Sequence, residues 1–260
     1  DAMLILDTDR RVVDYNPAAS RVLQKTQQVE LGAAGEFFYP YLDKLNLVPG
    51  RETYLTEAEI PFEGGHEHFD MRLQRLKNRQ GELIGFLITM HNITEYQHLL
   101  DVARHLATFD PLTNVLNRRS FMELANQEVE RAHRNRNHFS LIALDVDSFK
   151  QINDTSGHKV GDKVLKELVG VLHQSLRGSD IIARFGGDEF FILLPESDLA
   201  ASREIANRLC DQISKNNLML DDGENVRFTV SMGVAEFEFE EDQSIDQLIE
   251  LADRAMYAAK

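Results

Sequence analysis

Two carboxylates beside a glycine turn are the residues of this chain best placed to do chemistry. The stretch Arg177 to Pro195 carries Gly186-Gly187-Asp188-Glu189 between the apolar runs Ile181 to Phe185 and Phe190 to Leu194. Paired glycines between two apolar runs predict a β-hairpin. Glycine supplies the positive φ of such a turn and leaves the backbone open to close approach by a ligand. Adjacent carboxylates suit Mg²⁺, a hard cation that takes oxygen ligands and bridges substrate phosphates. Acidic turns are also common as plain solvated loops, so a second segment matters. Ser140 to Leu144 reads as a short buried strand, ending in Asp145-Val146-Asp147-Ser148-Phe149-Lys150 with Asn153 beyond. Carboxylates for metal and a lysine for phosphate are recurring parts of phosphoryl-transfer sites. The plainer alternative makes Asp147 the cap of the next helix and Lys150 a solvated charge. It suits Asp147, but accounts less well for both segments in one chain.

Helices and strands must alternate around these segments. Apolar periodicity predicts helices over 118–134, 159–176, 199–214 and 245–260, with strands over 139–145 and 226–237. Upstream, Ala2 to Leu6 and Val12 to Tyr15 read as strands joined by a polar turn. Asn16-Pro17 then starts a helix, with Asn as N-cap and Pro at its first position. Residues 26 to 52 give only short helical hints. Three more strands are expected over 53–60, 68–76 and 83–94, the last two joined by Asn78-Arg79-Gln80-Gly81. Phe69, Met71 and Leu73 alternate with polar residues, as on a sheet with one wet face. A helix over 96–108 follows, with Leu99, Leu100, Ala103, Leu106 and Ala107 on one stripe. It suits packing on its own domain or pairing with a second copy as a short coiled coil.

From about residue 108 to 260 the chain resembles a GGDEF domain, the catalytic unit of diguanylate cyclases. The matching pieces are Asp110 to Arg119, Asp145 to Asp154, Gly157 to Asp162, Gly186 to Phe190, Ser231 to Ala235 and Ala252 to Lys260. Six ordered motifs are far more specific than the five-residue signature alone. The resemblance implies a mostly antiparallel sheet wrapped by helices, like the palm of nucleotidyl cyclases and polymerases. It implies two GTP condensed to cyclic di-GMP, with Mg²⁺ or Mn²⁺, two per site. By position, Asp145, Asp188, Glu189 and the Val146 carbonyl are the expected metal ligands, and Asp188 also the base for the ribose 3′-hydroxyl. The amides of Ser148 and Phe149, with Lys150 and Lys260, are expected on phosphates. Asn153 and Asp162 are expected on guanine, Asp162 favouring GTP over ATP, while Gly186 and Gly187 admit the nucleotide. Arg177-Gly-Ser-Asp180 resembles the family's RxxD inhibitory site for its own product, joined by Arg208. Its plain alternative is a surface Arg-Asp pair. Asp110, Arg118 and His158 match positions read as structural.

The first 95 residues resemble a PAS sensor domain, through Asp7 to Asn16, Gly81 to Gly85 and His91-Asn92-Ile93-Thr94-Glu95. That last motif more usually reads Asp-Ile-Thr, so Asn92 puts an ionic link to the exit helix in doubt. The PAS ligand is unknown; His66 and His68 share a strand face, which reads as solvent-facing rather than metal-binding. The expected fold class is therefore α+β: a PAS-like antiparallel sheet (1–95), a signalling helix (96–108) and a palm-like GGDEF domain (109–260). The expected partners are GTP, cyclic di-GMP as product and feedback inhibitor, and a second copy of the chain, because one domain holds one GTP and the product joins two. The chain of 260 residues, 43% hydrophobic and 27% charged, has ample core for two globular domains. A net charge of −15 argues against nucleic acid as a partner. Cys210 is the lone cysteine, so no internal disulfide forms. The expected location is the cytoplasm, free or as the cytosolic part of a membrane-anchored protein. A catalytically silent receptor for cyclic di-GMP or GTP, signalling through PAS-mediated dimerisation, is the competing class. Intact Asp145, Lys150, Asn153, Asp162, Asp188 and Glu189 argue against it.

Overall fold

The computed structural model describes residues 1–25, 31–32, 52–62, 65–220, 225–238 and 243–260. The expectation for 26–52 therefore lies almost wholly outside the described residues. The chain packs as two compact units, Asp1–Ala103 and Arg104–Lys260.

In the first unit, β1 (Ala2–Leu6), β2 (Val12–Tyr15), β3 (Thr53–Phe62), β4 (Gly65–Lys77) and β5 (Leu83–Asn92) form one antiparallel sheet in the order β2-β1-β5-β4-β3. Alternation decides its faces: Phe69, Met71 and Leu73 are buried while Asp70, Arg72 and Gln74 face solvent. The buried face packs on α1 (Pro17–Lys25) through Ala19, Val22 and Leu23. The Asn16 side chain accepts from Ala19 N at 2.8 Å, as an N-cap should, and also from Met3 N at 3.0 Å.

β5 stops at Asn92, short of the predicted Thr94: Asn92 makes an Asx turn into α2 (Thr94–Thr108). Its Oδ1 accepts from Thr94 N and its Nδ2 donates to Glu67 Oε2, both at 2.9 Å. An amide hydrogen bond thus stands where the usual motif has an acid. No residue of α2 is buried.

The second unit is a sheet in the order β12-β7-β9-β8-β6, covered on both faces. Its strands are β6 (Leu116–Asn117), β7 (Phe139–Val146), β8 (Ile181–Gly186), β9 (Glu189–Pro195) and β12 (Val230–Glu236). All neighbours are antiparallel except β6 and β8. β7 is buried at every residue, which explains its unbroken apolar run. On one face α5 (His158–Ser175) and α6 (Leu199–Lys215) bury Leu165, Leu168, Leu209 and Ile213 against Ile142, Leu144 and Ile192. On the other, α3 (Arg118–Asn135) and α7 (Ile245–Ala259) bury Phe121, Leu248 and Ala252 against Leu141, Ala143 and Leu193. Each fully buried Leu or Ile contributes about 1.5–3 kcal/mol of apolar transfer.

The strand region expected over 226–237 holds two strands. β11 (Asn225–Val226) pairs with β10 (Leu218–Met219), and β12 begins at Val230. A short helix, α4 (Phe149–Ser156), directly follows the acidic end of β7. Among the described residues no helix is long and apolar enough to cross a membrane.

Candidate active site

The register of three strands builds the site. Asp145, next to last in β7, pairs with Glu189 on β9 and with Ser231 on β12. Cross-strand partners share a face, and like charges directly opposite one another are unfavourable. The turn between β8 and β9 adds Asp188. Gly186 and Gly187 have φ of 156° and 53°, and a Cβ on either would meet nothing within 4 Å. The backbone there is open to a ligand.

Burial first, then the charge of Asp145, pushes the Asp188 carboxyl above the usual carboxylate range. Glu189 moves the same way through burial, then Asp253, Asp145 and Asp188. Asp253 on α7 is itself raised by burial. Lys260 and, at Asp188, Arg184 offset part of this excess. Lys260, at the end of α7, places Nζ 2.7 Å from Asp145 Oδ1, and that hydrogen bond raises the ammonium pKa. Lys260 reaches Asp145 because α7 lies against β12 at Gly233, where a Cβ would collide with Ala252 O and Met256 N.

The turn is held from behind. Arg184 donates to the Gly187 carbonyl from Nε (3.0 Å) and Nη2 (2.6 Å), and from Nη1 to Asp110 Oδ1 at 3.0 Å. The same oxygen accepts from Thr113 N at 2.9 Å and Thr113 Oγ1 at 2.6 Å. Burial alone would raise the Asp110 carboxyl; the hydrogen bonds from Thr113 and Arg184 outweigh it and hold it below the usual range. Arg118 lies over the Phe185 ring at 5.3 Å. Asp110 and Arg118 thus serve the scaffold, and Arg184 is one residue that sequence reasoning left out. Its signal was an arginine two positions before the glycine pair.

Beyond β7 the chain turns through Ser148 in the left-handed region (φ 54°) into α4, whose N-terminus has no side-chain cap. Asp147 does not cap that helix, contrary to the plain expectation. Its carboxylate is held by the hydroxyls of Thr229 and Ser231 instead. Lys150 is exposed on the first turn of α4. Asn153, half-buried on α4, packs against Gly161 of α5, where a Cβ would strike its Oδ1. Asp162 is the next residue and is exposed. Gly161 lay within a quoted motif and went unassigned; its need for space is a tertiary fact.

Arg177 and Asp180 stand in the turn between α5 and β8. Asp180 Oδ2 accepts from Arg177 N at 2.8 Å, so the carboxylate shapes its own turn and the exposed guanidinium is not needed for that. Arg208 is exposed on α6.

As they stand, no three His, Cys, Asp or Glu side chains among the described residues form a ready metal-holding group. The donor chemistry nevertheless fits a hard divalent cation. Asp145, Asp188 and Glu189 are oxygen donors; burial first and neighbouring carboxylates second raise Asp188 and Glu189, and a bound cation offsets the repulsion among them.

Comparison with known proteins bears on both units. Residues 107–260 match the family described as diguanylate cyclase, GGDEF domain, and residues 1–98 match the PAS fold. The chain is 35% identical over 196 residues to diguanylate cyclase DosC of Escherichia coli (strain K12), covering 73% of this chain and 42% of DosC. It is 31% identical over 267 residues to diguanylate cyclase DgcM of the same strain, covering 99% of this chain and 63% of DgcM. It thus spans less than two thirds of either relative. Among solved structures, the coiled coil and GGDEF domain of DgcB from Caulobacter crescentus in complex with c-di-GMP is similar. That match has a TM-score of 0.59 and 30% identity, over 64% of this chain and 87% of that one.

Proposed function

The chain belongs to the GGDEF family of diguanylate cyclases and carries a PAS fold at its N-terminus, and from that premise we propose that it condenses two GTP to cyclic di-GMP and two pyrophosphates. The observation that carries this reading is the convergence of Asp145, Asp188 and Glu189 on one end of the sheet, beside an uncapped helix terminus.

Asp145, the Val146 carbonyl, Asp188 and Glu189 would hold Mg²⁺ or Mn²⁺. Such ions, two per site, supply polarisation of the α-phosphate and compensation of charge on both attacking and leaving oxygens. Asp188 accepts the proton of the ribose 3′-hydroxyl from its place beside the open Gly186-Gly187 turn. The Ser148 and Phe149 amides and Lys150 bind phosphate at the α4 terminus. Lys260, already among the carboxylates, offsets their charge before the nucleotide arrives. Asn153 and Asp162 read the guanine edge, the carboxylate accepting from N1 and the exocyclic amine.

Each new phosphodiester joins a 3′-oxygen of one nucleotide to the α-phosphorus of the other and expels one pyrophosphate. Two domains must therefore meet. The exposed Tyr96, Leu99, Val102 and Leu106 of α2 support pairing of two copies, with residues 96–108 linking a sensor over 1–95 to a cyclase over 109–260. Arg177, Asp180 and Arg208 form the site for inhibition by the product. The stoichiometry tests the reading. With GTP and Mg²⁺, two pyrophosphates are expected per cyclic di-GMP, and ATP is expected neither to be incorporated nor to compete. Pyrophosphate without the cyclic product, or adenine in the product, would overturn it.

A further inference from the structure

The turn between β7 and α4 holds a carboxylate to which the proposed reaction gives no task. Asp147 precedes Ser148, the N-cap of α4, and Ser148 gives that helix no side-chain hydrogen bond. The first amides of a helix are open donors, and an aspartate at such a place ordinarily folds onto the amide two residues on. Asp147 does not. Its Oδ2 accepts from Thr229 Oγ1 and its Oδ1 from Ser231 Oγ, each at 2.6 Å. Its own N–H donates to the Thr229 carbonyl at 3.0 Å. Ser231 stands opposite Asp145 in the register, so the edge of β12 that flanks the acidic centre also holds this second acid. Both carboxylate oxygens are satisfied away from α4.

We propose that Thr229 and Ser231 are positioning residues for the nucleotide: they hold the Asp147 carboxylate on β12 and so keep the α4 amides open to phosphate. The proposal rests on the cyclase reading, in which the Ser148 and Phe149 amides meet the triphosphate. Released from the two hydroxyls, Asp147 reaches the Phe149 amide through an ordinary Asx turn. It then competes with the phosphate twice, as a cap and as a like charge.

The test measures affinity of the whole chain for guanosine 5′-(α,β-methylene)triphosphate with Mg²⁺, a probe that binds without transfer. Thr229→Val combined with Ser231→Ala is expected to weaken binding about tenfold, the scale of one competing cap. Adding Asp147→Ala is expected to restore affinity to within about threefold of wild type, since Ala offers neither cap nor charge. Plain scaffolding of the turn would not show that rescue. Unchanged affinity in the hydroxyl variant, or a loss that Asp147→Ala leaves unrepaired, overturns the proposal. If the double variant loses its cooperative melt, Thr229→Val alone carries the comparison, with about a threefold loss that Asp147→Ala repairs. A wild-type chain that binds no analogue overturns the cyclase reading and the proposal together. A wild-type chain that binds it while the variants fail the pattern overturns the proposal alone.

Discussion

Asp188 sits where burial and a neighbouring negative charge both oppose its ionisation. Two consequences follow at the scale of this residue. As the proposed base it must be ionised, which burial opposes and a bound cation favours, so at limiting Mg²⁺ turnover is expected to rise with pH and then level off. Asp188→Ala is expected to lower turnover at least about a hundredfold and to remove that limb. The second consequence concerns stability. A carboxylate raised in the folded state opposes folding fully above its native value, and not at all below its unfolded value of about 4. Asp188→Asn is therefore expected to raise Tm by about 1–3 °C at neutral pH in metal-free buffer, after allowance for solvent screening. The gain should shrink as the pH falls toward about 4. A lower Tm at neutral pH would show that the carboxylate stabilises the fold, and the electrostatic account would fail.

Among the elements, α7 and β12 decide where the cation stands. Gly233 lets the backbone of α7 lie on β12 and so brings Lys260 to Asp145. Gly233→Ala forces the two apart and is expected to cost about 1–3 kcal/mol, read from denaturant melts, with activity falling further than the loss of fold explains. Wild-type activity in a folded variant would free Lys260 of any role. The hairpin, the Asn16 cap and β7 were legible in the sequence because glycine pairs, capping residues and apolar runs are local signals. The two-residue strands β6, β10 and β11 were not, since two residues carry no periodicity. The site was legible in its residue types and not in its pairings. Thr229 and Ser231 lie 82 and 84 residues beyond Asp147 in the chain, and no spacing rule reaches that far. Asp253, which faces Glu189 electrostatically, looked like one more helix charge for the same reason.

For the whole molecule the proposed chemistry calls for two copies, and the exposed apolar residues of α2 are the surface proposed for their pairing. Leu99→Glu with Leu106→Glu is expected to turn a dimer into a monomer in sedimentation and to lower activity at least about tenfold, as removal of buried apolar contacts requires. A variant that stays dimeric and active would move the interface elsewhere. Arg177→Ala is expected to leave initial rates intact and to relieve slowing by accumulated product. Unchanged inhibition would make the Arg177–Asp180 turn purely structural.

The most direct measurement is the mass of the product formed from GTP and Mg²⁺ by the wild-type chain and by Asp188→Ala, side by side and with both shown to be folded. The account predicts cyclic di-GMP from the first and none above background from the second. A folded wild-type chain that binds cyclic di-GMP yet makes none after bound nucleotide is stripped, or a variant that still makes it, would contradict the account.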